Sequence, residues 1–200
     1  MAENLARIIG SEDDKVNCPF YFKNGACRYG NRCTRQHIKP TKSPTLLFAH
    51  LYHNPSQAIA LAEGNSIPDE EILVAIKHLE SFYSEIFMKV CQFGEIEEMH
   101  VVDNLGEHMQ GNVFIRFKSE ADAESAKQGL SGLYYDSILI MPEFSPVTDF
   151  YEGRCREFDD NRCRRGSHCN FMHIKKIRKE LLRALMKYMY IEKPQFEERR

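Results

Sequence analysis

The 200-residue sequence predicts an α+β protein: a central βαββαβ unit between two small cysteine-rich modules, with a helix near the C-terminus. Three observations predict it. Six of the seven cysteines fall into two sets of matching spacing, one in each terminal part of the chain. The middle alternates between strand-like runs and stretches whose apolar residues recur at three- and four-residue steps. Charge divides along the same lines: residues 15–42 carry seven basic and no acidic residues, 154–183 carry ten basic against four acidic, and 63–124 carry fourteen acidic against four basic. A net charge of −2 conceals that segregation. Basic flanks suit a polyanion and an acidic middle suits a basic partner; solvated charged faces are the plainer alternative.

Composition narrows the function classes. Hydrophobic residues at 42% and charged residues at 28% fit a globular chain, and no apolar run approaches the ~20 residues of a membrane-spanning helix. The start, MAENLARIIGSEDDKVN, has neither the basic opening nor the apolar core of a signal peptide. A reducing compartment follows, in which clustered thiols hold metal rather than form disulfides.

The two cysteine sets are Cys18-x8-Cys27-x5-Cys33-x3-His37 and Cys155-x7-Cys163-x5-Cys169-x3-His173. Three thiolates and one imidazole suit tetrahedral zinc, and filling all four positions with protein donors marks a structural ion rather than a catalytic one. Two zinc ions per chain are expected. The loops between ligands are short, basic and aromatic, with too few apolar residues to fold without metal. They leave Phe20, Phe22, Arg28, Tyr29 and Arg35 in the first module, and Arg156, Phe158, Arg164, Arg165 and Phe171 in the second, free either to pack on the metal core or to meet RNA. Aromatic faces stack on unpaired bases and guanidinium groups bind phosphates or base edges, which is the chemistry of single-stranded RNA recognition.

The central elements read in order. PTLLFAHLY (44–52) predicts a first strand, and 53–68 an irregular loop. From Asp69, the residues Ile72, Ile76, Leu79, Tyr83, Ile86, Phe87 and Val90 fall on one helical face, ended by Phe93-Gly94. EIEEMHVVD (95–103), GNVFIRF (111–117) and SILIMPEF (137–144) predict three more strands, with a helix over 121–130 before the last. That order gives an antiparallel four-stranded sheet with two helices on one face. Beyond it, Ile174, Ile177, Leu181, Leu185 and Met189 line one face of a C-terminal helix, which either braces the second module or covers the open face of the sheet. Cys91 has no histidine at catalytic spacing and reads as a small buried hydrophobe. The predicted units are 12–42, 43–148, 149–175 and 176–192.

The two cysteine sets resemble CCCH zinc fingers, a family whose members mostly bind single-stranded RNA. Many members stack an aromatic two residues after the third cysteine; Phe171 matches, while the first set has Arg35 there. QGNVFIRF (110–117), with the βαββαβ order, resembles an RNA recognition motif: Gly111, Phe114 and Phe117 fit its stacking signature, but Gln110 and Asn112 depart from it. With an acidic helix beside it, this RNA-recognition-motif-like domain is expected to have exchanged RNA for protein.

The whole arrangement, carried by KVNCPFYFKNGACRYGNRC, EIEEMHVVDNLGEHMQGNVFIRF, SPVTDF and CNFMHIK, closely resembles the small-subunit family of the U2 snRNP auxiliary factor. The resemblance implies a nuclear, non-enzymatic pre-mRNA splicing factor. It would read the AG dinucleotide of single-stranded pre-mRNA at the 3′ splice site with its two fingers. Its middle domain, a U2AF homology motif, would bind a tryptophan-containing segment of the large subunit of the U2 snRNP auxiliary factor. Neither a membrane nor a small-molecule substrate is expected. The resemblance places Thr34, beside Cys33, close to RNA, so the RNA candidates are Phe20, Arg28, Tyr29, Thr34, Arg35, Arg156, Arg165 and Phe171. It also implies Glu80 and Glu85 for the basic part of the partner segment. Leu133-Tyr134-Tyr135 replaces the family's Arg-aromatic-Phe, with Tyr134 where an aromatic reaches into the large subunit. A CCCH factor of mRNA decay or 3′-end processing is the alternative.

Overall fold

The computed structural model describes residues 16–199, so the predicted start of the first finger at 12 and Lys15 lie outside the described residues. The sheet contains β1 (Thr45–Phe48), β2 (Ile96–Val101), β3 (Val113–Phe117) and β6 (Glu143–Phe144) in the order β2-β3-β1-β6, every pair antiparallel. Between β6 and the rest of the chain's βαββαβ pattern stands a small separate hairpin, β4 (Tyr134–Tyr135) with β5 (Ile138–Leu139). The single strand predicted over 137–144 is therefore two. Asp136 and Ser137 both have positive φ, 44° and 66°, as a two-residue hairpin turn demands, without the glycine that usually advertises one. Pro142, which has no N–H for a ladder, then separates β5 from β6.

Alternation along each strand sorts side chains to two faces. Leu46, Phe48, Val101, Val113, Ile115 and Phe117 point to one face and form the main core with α3 (Asp69–Val90) and α4 (Glu120–Leu130). Helix α4 is capped by Ser119, whose side chain accepts from the Asp122 N–H at 3.1 Å, and buries Ala123, Ala126 and Leu130. Helix α3 opens with Asp69, Glu70 and Glu71 against its N-terminal dipole. Its buried face runs Ala75, Leu79, Phe82, Tyr83, Ile86, Phe87, Val90. Ile76, predicted inside, is exposed, and Ile72 is half-buried; Ala75 and Phe82 take the inward positions instead. The stretch expected to be irregular contains α2 (Ser56–Ala62), which lies against α3. Seven residues are too few to display a helical period, and its Ala/Leu content was the available signal.

The other face of the sheet carries Leu47 and Phe114 in a second apolar cluster with Val102, Met109, Val147, Phe150 and Met172, joined by Ala26 and Ile174. Ala26 belongs to the first finger, Met172 to the second, and Phe150 to the short helix α5 (Phe150–Gly153) leading into the second. Both fingers thus sit on the face opposite the helices. Gly25, at φ 68°, ends the finger helix α1 (Pro19–Asn24) directly on Phe114: a Cβ there would lie 2.6 Å from the ring. The fingers also meet each other, since a Cβ on Gly153 would lie 2.2 Å from the Lys23 carbonyl oxygen.

The C-terminal helix α7 (Lys179–Glu192) packs on α3, on the helical side, burying Leu185 and Met189. The Ile96 N–H reaches the Met189 sulfur at 3.3 Å and Tyr190 donates to Glu95 at 3.0 Å. It neither covers the open face nor includes Ile174, which instead bridges Val102 at the edge of β2. No helix among the described residues is long and apolar enough to cross a membrane.

Candidate zinc centres, nucleic-acid interface and partner pocket

Cys18, Cys27, Cys33 and His37 converge, and so do Cys155, Cys163, Cys169 and His173; the ligand atoms of each set lie within 4.8 Å of one another. A zinc–sulfur distance of about 2.3 Å in a tetrahedron sets sulfurs roughly 3.8 Å apart. Cys155 and Cys169 Sγ stand at 3.9 Å. The buried Nε2 atoms of His37 and His173 have no hydrogen-bond partner, as befits a lone pair committed to a metal. Burial holds both imidazoles below their ordinary pKa, hence neutral and able to ligate. Burial likewise pushes the Cys18 thiol up to about 11, a cost that a divalent cation reverses by deprotonating the thiols it binds. The donor sets fit two structural zinc ions.

The same local construction builds each centre. The Cys18 N–H donates to Gln36 O at 3.0 Å and the Cys155 N–H to Met172 O at 2.8 Å. A turn at Gly30 or Gly166 presents the third cysteine, whose N–H returns to that glycine at 3.2 Å in both. Three residues after each first cysteine an aromatic stacks flat on the ligand histidine: Tyr21 on His37 at 4.6 Å and Phe158 on His173 at 4.0 Å. Sequence reading left Phe158 between packing and RNA and passed over Tyr21; the matched offset from Cys18 and Cys155 was the signal.

The RNA candidates divide. Arg28, Tyr29, Thr34, Arg35 and Arg156 are exposed, and Arg156 stacks over Tyr151 at 4.7 Å. Phe20 and Phe171 are half-buried and meet edge to face at 6.0 Å, where Asn24 of finger 1 also donates to the Asn170 carbonyl of finger 2. Arg165 is exposed as well, but its guanidinium turns to the zinc ligands. Its Nε donates to Cys169 Sγ at 3.1 Å and its Nη2 to Cys155 Sγ at 3.6 Å and Glu157 at 3.0 Å, and these thiol contacts hold its pKa above the ordinary arginine value. A zinc bound by three thiolates carries a net negative unit, which this guanidinium offsets.

Beside finger 1 lies a cleft of about 450 Å³, walled by Arg28, Tyr29 and Arg32, by Glu107 and His108 of the β2–β3 loop, and by His168 of finger 2. A smaller cavity against it is lined by Phe20, Arg28, Tyr29, His108 and Asn170. Thr34, Arg35 and Arg156 stand outside both. Burial and the Arg28 charge depress His108, leaving a neutral ring. Arg32, His108 and His168 were not singled out from sequence; no spacing rule links a strand-connecting loop to a zinc finger 70 or more residues away. Nor was Asn104, fully buried, which accepts from the His173 N–H at 2.7 Å and donates to Cys169 O at 2.9 Å and Phe171 O at 3.1 Å.

On the opposite side, between α3 and the β4–β5 hairpin, a cavity of about 140 Å³ is lined by Tyr52, His78, Phe82, Glu85, Tyr135 and Ile138. Tyr135 donates to Glu85 at 3.0 Å, and burial, with that carboxylate, pushes its pKa up to about 12. Tyr134 points away and is 71% exposed. Glu80 does not join Glu85: five positions apart, the two lie about 140° around the helix, and Glu80 accepts from Nε and Nη2 of Arg178 at 2.5 Å.

Two Cys3His centres on a four-stranded recognition-motif sheet define a CCCH zinc-finger protein of the RNA-recognition-motif fold. Residues 13–39 match the zinc finger C-x8-C-x5-C-x3-H family and 83–140 the RNA recognition motif family. Over 92% of its length the chain is 49% identical to a U2af small-subunit splicing factor of Arabidopsis thaliana, 48% to the splicing factor U2af 38 kDa subunit of Drosophila melanogaster and 46% to the splicing factor U2AF 26 kDa subunit of Homo sapiens. It spans 65%, 71% and 84% of those proteins respectively, and thus less than two thirds of the plant relative. The chain belongs to the U2AF small-subunit family.

Proposed function

We propose that this chain is a nuclear pre-mRNA splicing subunit whose two fingers jointly recognise the AG dinucleotide at the 3′ splice site. Its recognition-motif domain pairs with the large subunit of the U2 snRNP auxiliary factor. The observation that carries this reading is the placement of the fingers over the sheet face on which a recognition motif stacks bases. Phe114, the aromatic of the stacking signature on that face, is 1% exposed beneath them. The basic side chains of that face are also spent: His100 and Arg116 both pair with Glu98. RNA is thereby left to the exposed finger loops and protein to the cavity at α3. Both zinc ions are enclosed by four protein donors and serve structure, not catalysis.

The test is an anisotropy titration of the zinc-loaded chain, bound to a large-subunit fragment, with short RNAs ending in UAG or UAC, and with AU-rich and poly(A) RNAs of the same length, at one fixed salt concentration. At least tenfold preference for UAG, ~1.4 kcal/mol, is expected. Equal binding would reduce the fingers to nonspecific clamps, and preference for AU-rich or poly(A) RNA would move the chain to mRNA decay or 3′-end processing. For the partner half, Tyr134→Ala should weaken large-subunit binding by about 2 kcal/mol, the scale of an exposed aromatic anchor. Calorimetry finding unchanged affinity would remove Tyr134 from the interface.

A further inference from the structure

We propose that the β2–β3 loop of the sheet domain is a third wall of the RNA site, with His108 contacting an unpaired base held between it and the loop Arg28–Arg32 of finger 1. This rests on the RNA-binding reading above and assigns it a residue outside both fingers.

Three observations carry it. The cleft is composite: finger 1, the β2–β3 loop and His168 of finger 2 each supply a wall, and His108 also lines the adjoining cavity with Phe20 and Tyr29. It is an open cleft whose volume of about 450 Å³ has room for a single base. The loop is fixed in place. Its Leu105 N–H donates to Ser167 O at 2.9 Å, which ties it to finger 2, and the Met109 and Gln110 N–H groups both return to Gly106 O at 2.8 and 2.9 Å. The His108 carbonyl accepts from the Asn112 side chain at 3.0 Å, and a Cβ at Gly106 would lie 3.2 Å from the imidazole. These bonds fix the backbone that carries the imidazole, which lowers the ordering cost of binding. Finally, the chemistry of the walls is that of a base site. Tyr29 is 59% exposed and His108 half-buried, so each keeps part of its side chain open to a stacked base. Arg28 and Arg32 donate, and the Glu107 carboxylate accepts, which suits a base edge carrying both acceptors and donors.

The experiment uses the full zinc-loaded chain bound to a large-subunit fragment, a short single-stranded RNA ending in UAG, and a set of the same RNA with one abasic nucleotide at each position in turn. His108→Ala should lose affinity for the intact RNA on the order of tenfold, the scale of a lost stacking partner. It should lose little for the one abasic RNA that lacks the base in the cleft. His108→Phe, which keeps a flat ring, should recover most of the affinity, and both variants should retain two zinc ions and the wild-type thermal midpoint. Undiminished binding of intact RNA by His108→Ala overturns the inference while leaving the finger reading intact. An equal loss on every abasic RNA, or a lost zinc ion, also overturns it, because the loop then acts through the fold and not on a base. Wild-type chain that binds none of these RNAs overturns the RNA reading and this inference together.

Discussion

Removing zinc with a strong chelator will release two metal equivalents per chain and uncover the far face of the sheet, while the helical side keeps its secondary structure. The ligand sets bind most of what holds each finger: α1 has six residues, α6 (Arg156–Asp159) has four, and the turns at Gly30 and Gly166 are single 3-10 turns. None is long enough to persist alone. Structural zinc contributes on the order of 10 kcal/mol in small fingers, comparable to the whole stability of an ordinary domain. The fingers are also the lid of the second apolar cluster, so their loss exposes Phe114, Phe150 and Met172 to water. Native mass spectrometry should count two zinc ions before chelation and none after. A hydrophobic dye should bind only the metal-free form, and far-UV circular dichroism should retain the signal of α3, α4 and α7. Cys169→Ser should yield a chain with one zinc and partial dye binding. A metal-free chain with the native melting midpoint and no dye binding would show that the fingers stand on packing alone.

The parts of this molecule legible in its sequence are those fixed by local rules. Ligand spacing gave both metal centres, since a tetrahedral site demands Cys18, Cys27, Cys33 and His37 at short range, and the 3.6-residue period gave α3 from Leu79 to Val90. What stayed hidden depends on residues far apart in the chain. Nothing near Glu80 announces Arg178, and nothing in the basic finger loop announces that the Arg165 guanidinium is engaged by the Cys155 and Cys169 sulfurs. Charge segregation described the surface correctly in sum yet could not say which charges were already paired. The largest gap was the position of the fingers. Their apolar contributions, Ala26 and Met172, are single residues without a period, so the sheet face they cover read as open.

That covered face makes Phe114→Ala the sharpest test of the architecture, with an expected loss of about 3–5 kcal/mol of stability. The ring is 1% exposed, meets Phe150 edge to face at 5.9 Å, and is pressed from finger 1 by Gly25. Truncation leaves a void where sheet, linker helix and finger meet, and the glycine that fits against the ring has no side chain to fill it. Urea unfolding should show the loss directly, and RNA affinity should fall with it because the fingers lose their common seat. Phe114→Leu separates this role from base stacking. Leucine refills much of the volume, so both stability and RNA binding should largely recover if Phe114 acts by packing. A Phe114→Leu chain with restored stability but RNA affinity as low as that of Phe114→Ala would mean that the aromatic face itself reaches a base, and the fingers would then have to leave the sheet for RNA to bind.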